Sequence, residues 1–326
     1  MNIDMIEAAR ERIGNNVRCT PFLNSPAFDK LASRRVWVKA ECLQYTNSFK
    51  IRGAWSAVSA LAPNRRKSGV IGHSSGNHGQ ALSFTARAFD IPALVIMPSD
   101  APTLKIDKTR EFGAEVILYD RDLDDREELG SKIAQERGMT LIKPFDDNHV
   151  IAGQGTTGLE IAEQAAEHGI TDADVLVCCG GGGLLAGLAL AFEAHAPTLR
   201  TRPVEPHDFN DVQRSLLSRK IESNTQKSGS ICDAILTPCP GQLTWPIIQR
   251  LCGSGLVVSD REALQAIVLG NEYFRFIAEP GGAVSLAAAL FRRDQIHSDD
   301  VICVVTGGNI DNQLFQKAMD QFGAKT

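Results

Sequence analysis

No run of lysine and arginine longer than Arg65-Arg66-Lys67 occurs in this 326-residue sequence, and 34 basic against 39 acidic residues give a formal net charge of −5. A mildly acidic chain without a basic patch has no electrostatic means of gripping nucleic acid non-specifically, so no nucleic-acid partner is expected. A secretory leader is also missing: Met1-Asn2-Ile3-Asp4-Met5-Ile6-Glu7 places acids where basic and then apolar residues are needed. One uncharged stretch, Val175 to Phe192, is long enough to raise the question of a membrane span. Four consecutive glycines divide it, which favours strand, loop and helix. The expectation is a cytoplasmic protein with no membrane partner. The eight cysteines (Cys19, Cys42, Cys178, Cys179, Cys232, Cys239, Cys252 and Cys303) form no CxxC pair and no regular framework. They read as reduced thiols of a cytosolic chain. There is no internal repeat and no low-complexity tract, and five Met, three Trp and three Tyr discriminate nothing.

What is present is ordinary globular material, 43% hydrophobic and 22% charged. At roughly 100–200 residues per domain, two domains are expected. Apolar runs predict strands at Val36–Lys39, Val70–Gly72, Ala93–Met97, Glu115–Leu118, Val175–Cys179, Arg202–Val204 and Val301–Val305. Helical periodicity falls between most of them, at Gly79–Phe89, Thr103–Phe112, Arg126–Arg137, Gly158–His168, Leu184–His195 and Arg261–Phe274. This alternation predicts an α/β fold with mainly parallel sheets covered by helices on both faces. The polar stretches Pro63–Gly69 and Pro144–Asn148 read as solvated linkers. Residues 63–145 would then be a small domain inserted in a large one made of residues 1–62 and 146–326.

In open α/β sheets ligands bind where strands end and helices begin, and four loops qualify. Gly180-Gly181-Gly182-Gly183 follows an apolar strand and precedes the helix at Leu184, an arrangement that lets backbone N–H groups cradle an anion. The same residues also fit a dinucleotide fingerprint, with Gly181, Gly183 and Ala186 in G-x-G-x-x-G/A spacing and Glu205 placed for a ribose. That would make the protein an NAD-dependent oxidoreductase and leave the other loops without a role. His73-Ser74-Ser75-Gly76-Asn77-His78-Gly79-Gln80 offers more polar groups at a helix start than a cap requires, and suits a carboxylate. Asn47-Ser48-Phe49-Lys50-Ile51-Arg52-Gly53-Ala54 sets a lysine between apolar neighbours just before an apolar helix. A lysine there either stays a solvated surface charge or, if desolvated, becomes a nucleophile. Thr306-Gly307-Gly308-Asn309 puts a hydroxyl at a strand end, where a plain turn or a hydrogen bond to a heteroaromatic nitrogen would both be served.

Taken in order, these four motifs resemble the fold type II family of pyridoxal 5′-phosphate enzymes, and among them the serine/threonine dehydratases and serine racemase. Val150-Ile151-Ala152-Gly153-Gln154-Gly155-Thr156 and Glu279-Pro280-Gly281-Gly282-Ala283 add weaker similarity. The resemblance implies two open twisted sheets of the tryptophan synthase β type. It implies that Lys50 carries the cofactor covalently and Phe49 packs on its ring. Asn77 would bond its 3′-oxygen. Gly180, Gly181, Gly182 and Gly183 with the Leu184 amide would hold its phosphate, and Thr306 would face its ring nitrogen. Ser74, Ser75, Asn77 and His78 would bind the substrate carboxylate. Ser75 would also exchange a proton with Cα in a racemase. Thr306 departs from the usual serine but keeps a neutral hydroxyl, which weakens the electron sink and suits prompt β-elimination. Glu205, the Phe209 carbonyl and Asp211 resemble the family's divalent cation site, where oxygen ligands suit Mg²⁺ or Ca²⁺; a solvated acidic loop accounts for them equally well. Arg126 would face the mouth of the site, as a racemase arginine does, or stand on an exposed helix face. The proline-rich stretch Cys232–Gly241 is longer than in serine racemase and resembles a bacterial dehydratase subgroup.

The activity implied is removal of water and ammonia from L-threonine or L-serine to give a 2-oxo acid. Freed Lys50 would act as general base on the Cα proton. A serine racemase, a 3-hydroxyaspartate dehydratase and a non-catalytic amino-acid-binding protein are alternatives on the same scaffold. A homodimer is implied. No regulatory domain is expected, because only a short tail follows Asn309.

Overall fold

The structure is a computed structural model that describes residues 1–74, 76–101, 103–120 and 123–323. Ten strands form two sheets: β1 (Phe22–Asn24), β2 (Arg35–Ala40), β3 (Val70–His73), β4 (Ala93–Pro98), β5 (Glu115–Tyr119), β6 (Thr140–Leu141), β7 (Ala173–Cys178), β8 (Leu199–Pro206), β9 (Leu256–Val258) and β10 (Asp300–Val305). The six-stranded sheet runs β1-β2-β10-β7-β8-β9 and the four-stranded sheet β5-β4-β3-β6. Every pairing is parallel except β1 with β2. β4, β7 and β10 are buried along their whole length, as strands covered on both faces must be. The α/β architecture expected from the alternation of elements is therefore present. The four-stranded sheet is nested in sequence between β2 and β7.

β10 enters last and slots between β2 and β7, with Ile302 in register with both Trp37 and Val175. This crossover positions the site. The loop after β10 lies beside the start of the helix Lys50–Ala60: Phe49 N donates to the Thr306 carbonyl at 3.1 Å, and Ser48 pairs with Gly307.

The uncharged stretch expected to split into strand, loop and helix does so, as β7, the four glycines and the helix Gly183–His195. Among the described residues no helix is long and apolar enough to cross a membrane.

Several boundaries differ from the sequence reading. The helix expected at Gly158–His168 begins ten residues earlier, as Asn148–Glu167. Asp147 caps it, accepting from His149 N and Val150 N at 2.8 and 3.0 Å. Glycines let it pack closely: a Cβ on its Gly153 would fall 2.3 Å from the Arg52 carbonyl, and one on Gly187 of the facing helix Gly183–His195 would fall 2.7 Å from its Ile151 carbonyl. The stretch at 63–69, read as a linker, forms a short exposed helix, Pro63–Lys67, started by proline at its first turn. β1, β6 and β9 have three, two and three residues, too few for a periodic signal.

Candidate active site

Lys50 opens the helix Lys50–Ala60, which a buried charge network fixes in place. Arg52 is fully buried and binds Glu41 through Nε and Nη2 at 2.8 and 2.7 Å, and Glu160 through Nη1 and Nη2 at 2.7 and 2.8 Å. Lys39 closes the network on Glu160 at 2.6 Å. Half-buried at the floor of a cleft, the Lys50 ammonium lies 5.1 Å from the Phe49 ring centre and donates to the Pro144 carbonyl at 2.9 Å. Burial lowers its pKa to about 8, against the smaller opposing pull of Cys178 and Glu279. This burial favours the desolvated alternative left open by the sequence, in which a fraction of the amine is neutral near pH 7.

The glycine loop faces Lys50 across the cleft. Gly182 has φ +87°, a left-handed turn that ends β7's excursion and starts the helix at Gly183. The first bond of that helix runs from Ala186 N to the Gly182 carbonyl at 2.9 Å, so the N–H groups before Ala186 have no intrahelical acceptor. Close approach is enforced as well: a Cβ on Gly181 would sit 2.3 Å from the Phe145 ring. Thr244 Oγ1 donates to the Gly181 carbonyl at 2.8 Å and ties the loop from outside.

The loop after β3 supplies a second helix N-terminus. Gln80 N bonds the Gly76 carbonyl at 3.1 Å, which leaves the N–H groups of Asn77, His78 and Gly79 free of intrahelical acceptors. Ser74 Oγ accepts from Gly76 N at 3.0 Å. Asn77 Nδ2 donates to Glu279 at 2.5 Å, and its Oδ1 accepts from Asn309 at 2.8 Å; one amide hydrogen remains. His78 is buried, and burial holds its pKa down to about 3. The neutral ring's Nε2 bonds the Ile142 carbonyl at 3.0 Å. What this residue offers the cleft is therefore its main-chain N–H, not a charged ring. Ser75 lies outside the described residues.

Thr306 completes the ring of loops. It is buried, and its hydroxyl lies 2.7 Å from the Cys178 thiol at the end of β7. Three loops far apart in sequence thus converge on the segment that carries Lys50. The family described as pyridoxal-phosphate dependent enzyme matches residues 13–307 of this chain.

The chain belongs to the pyridoxal-phosphate dependent enzyme family.

Relatives cover nearly all of it. An L-threo-3-hydroxyaspartate ammonia-lyase from a Pseudomonas species is 40% identical over 96% of this chain and 96% of its own length. A serine racemase from Schizosaccharomyces pombe is 38% identical over 98% and 97%. The crystal structure of a T.th. threonine deaminase superposes with a TM-score of 0.90 at 39% identity, covering 95% of this chain and 99% of that one. The fold is accordingly fold type II of these enzymes.

The family is a pyridoxal-phosphate one, and Glu205 is engaged away from the nicotinamide reading's ribose role. Its carboxylate turns away to the helix Asp211–Ser218, where it accepts from Val212 N and Gln213 N at 2.9 and 2.7 Å. Asp211 is buried beside it, with Oδ1 taken by Asn224 at 2.6 Å and Oδ2 unpartnered among the described residues. Phe209 is buried in the same loop.

The sequence reading gave no role to several residues that line the cleft. Glu279 is buried against Asn77, and burial raises its pKa to about 7. Gln154 is buried with neither side-chain amide atom partnered among the described residues. Lys105 reaches the cleft wall and pairs with Asp233 at 2.6 Å. Arg126, expected either at the mouth of the site or on an exposed helix face, stands half-buried at the same wall. Glu279 and Gln154 fall in the two weaker motifs, which was the available signal.

Proposed function

We propose that this protein is a pyridoxal-phosphate-dependent ammonia-lyase that converts L-serine and/or L-threonine to a 2-oxo acid and ammonia by α,β-elimination. The observation that carries this reading is the convergence of Lys50, the glycine turn, the Asn77 helix start and Thr306 on one cleft. The residues fit the cofactor. The turn at Gly180–Gly183 and the Leu184 N–H would take its phosphate. The Thr306 hydroxyl would meet its ring nitrogen, Asn77 its 3′-oxygen, and Phe49 would flank its ring. Pyridoxal phosphate supplies an electron sink for the bonds at the amino-acid Cα.

The rest falls to the chain. Ser74 and the N–H groups of Asn77 and His78 hold the substrate carboxylate at a helix N-terminus. Lys50 binds the cofactor and then takes the Cα proton, a task its lowered pKa suits. Ser75 would govern any racemisation. Buried walls at His78, Gln154, Cys178 and Glu279 exclude water from the reacting carbon.

A second substrate reading is favoured by one observation. The Arg126 guanidinium lines the cleft with no ion-pair partner among the described residues, which suits a second carboxylate as in 3-hydroxyaspartate. Glu205, Asp211 and the Phe209 carbonyl would hold Mg²⁺ or Ca²⁺, since the unpartnered Asp211 oxygen beside Glu205 invites a cation.

The test is 2-oxo acid and ammonia release from L-serine, L-threonine and L-threo-3-hydroxyaspartate by the cofactor-loaded protein, with chiral analysis of serine in parallel. Release from serine or threonine supports the first reading. Release from the dicarboxylate alone replaces it with the second. Interconversion of serine enantiomers without 2-oxo acid refutes both.

A further inference from the structure

Cys178 is the one cleft-lining thiol beside Lys50 among the described residues, and nothing in the proposed reaction uses it. It is 5% exposed and Thr306 is 4% exposed. Their Sγ and Oγ1 atoms are 2.7 Å apart, and among the described residues neither side chain has another hydrogen-bond partner. Two hydrogens belong to this pair and only one can lie between the heavy atoms.

We propose that Cys178 is a positioning residue: its thiol donates to Thr306 Oγ1 and so aims the threonine hydroxyl hydrogen at the ring nitrogen of bound pyridoxal phosphate. The inference rests on the reading of Thr306 as the residue that faces that nitrogen. A thiol is both a weak donor and a weak acceptor, so the direction is set by what each arrangement leaves unsatisfied. The opposite arrangement would leave the S–H without an acceptor in a buried site. It would also present the hydroxyl lone pairs to the nitrogen lone pair. With the thiol as donor, S–H to O–H to nitrogen runs in one direction, and each bond polarises the next. Burial of the thiol pushes its pKa up to about 12, which keeps the hydrogen on sulfur at neutral pH. No charge enters the chain, so the nitrogen is held as a neutral acceptor.

Two readouts test this. In cofactor-free protein, the infrared S–H stretching band of Cys178 is isolated as the difference between wild type and Cys178→Ala. The proposal expects a band shifted by hydrogen bonding in wild type and relaxed in Thr306→Val. In loaded protein, pyridoxal phosphate labelled with ¹⁵N at the ring nitrogen is followed by NMR. Cys178→Ala should move the resonance and weaken cofactor binding by about threefold to tenfold, the scale of one neutral hydrogen bond. Cys178→Ser, which keeps a donor, should restore both.

An S–H band indifferent to Thr306→Val overturns the proposal. So does an unmoved nitrogen resonance in Cys178→Ala, or a serine variant that behaves like alanine, which would reduce Cys178 to filling space. Failure of wild type to bind pyridoxal phosphate would instead defeat the functional reading, and the infrared result would still decide the direction of the thiol.

Discussion

Replacing Arg52 by methionine should be among the most damaging single changes available in this chain. Arg52 is buried with two carboxylates and one more cation in reach, Glu41, Glu160 and Lys39. Burial opposes its charge, yet the two carboxylates outweigh this and raise its pKa. Glu160 is held below the usual carboxylate range by the reverse balance, burial raising it and Arg52 and Lys39 lowering it further. The four formal charges cancel. Methionine fills similar volume but leaves a net buried negative charge and strands Glu41, whose arginine partner was at 2.7 Å. Breaking a buried pair from one side costs about 3–5 kcal/mol. At about 2.1 cal/mol/K per residue, a chain of this length unfolds with an entropy of about 0.7 kcal/mol/K, so Tm should fall by about 4–7 °C. Scanning calorimetry of the cofactor-free protein measures this. Arg52→Met/Glu41→Gln should recover part of the loss, because it removes the stranded charge. A Tm drop under about 1 °C, or a double variant worse than the sum of its parts, would refute the reasoning.

Other outcomes follow from the same geometry. Covalent capture of pyridoxal phosphate at Lys50, trapped with borohydride and read by peptide mass, should reach half its limiting rate near pH 8 and level off above it, because the neutral amine is the nucleophile. A rate still climbing tenfold per pH unit at pH 9.5 would contradict the desolvated lysine. Gly181→Ala should weaken pyridoxal phosphate binding and cost about 1–3 kcal/mol of stability, since its Cβ would meet the Phe145 ring at 2.3 Å; adding Phe145→Ala should relieve the stability loss, and calorimetry decides. Saturating Mg²⁺ or Ca²⁺ at a hundred times its Kd should stabilise the protein by about 2.7 kcal/mol. An equal thermal shift in Asp211→Asn would remove the cation from that loop.

How far the sequence could be read follows from the range of each interaction. The strand–glycine–helix junction at Cys178–Leu184 is a local pattern, and so is the polar loop at Ser74–Gln80; both were legible because a turn and an N-terminus need only neighbouring residues. The central strands were legible because burial on both faces demands continuous apolar runs, as in Val301–Val305. Short edge strands such as β6 carry no such demand. The helix Pro280–Phe291 is buried over nearly its whole surface, so its sequence has no amphipathic period to detect. The contacts of Asn77 with Glu279, and of Thr306 with Cys178, join residues brought together by the insertion of β10. No local rule announces them. His78 shows the same limit from the other side: its type suggested a ligand group, while its burial against Ile142 made its ring a structural one.

Every role proposed for the cleft depends on Lys50 being the lysine that carries pyridoxal phosphate. That assignment is tested most directly by the visible absorption of the purified protein with pyridoxal phosphate before and after borohydride, with the reduced label mapped by peptide mass. The expected result is a visible band that borohydride abolishes, a pyridoxyl label on Lys50, and neither in Lys50→Ala. A protein that stays colourless with added pyridoxal phosphate, or one labelled elsewhere while Lys50→Ala keeps the band, would contradict it.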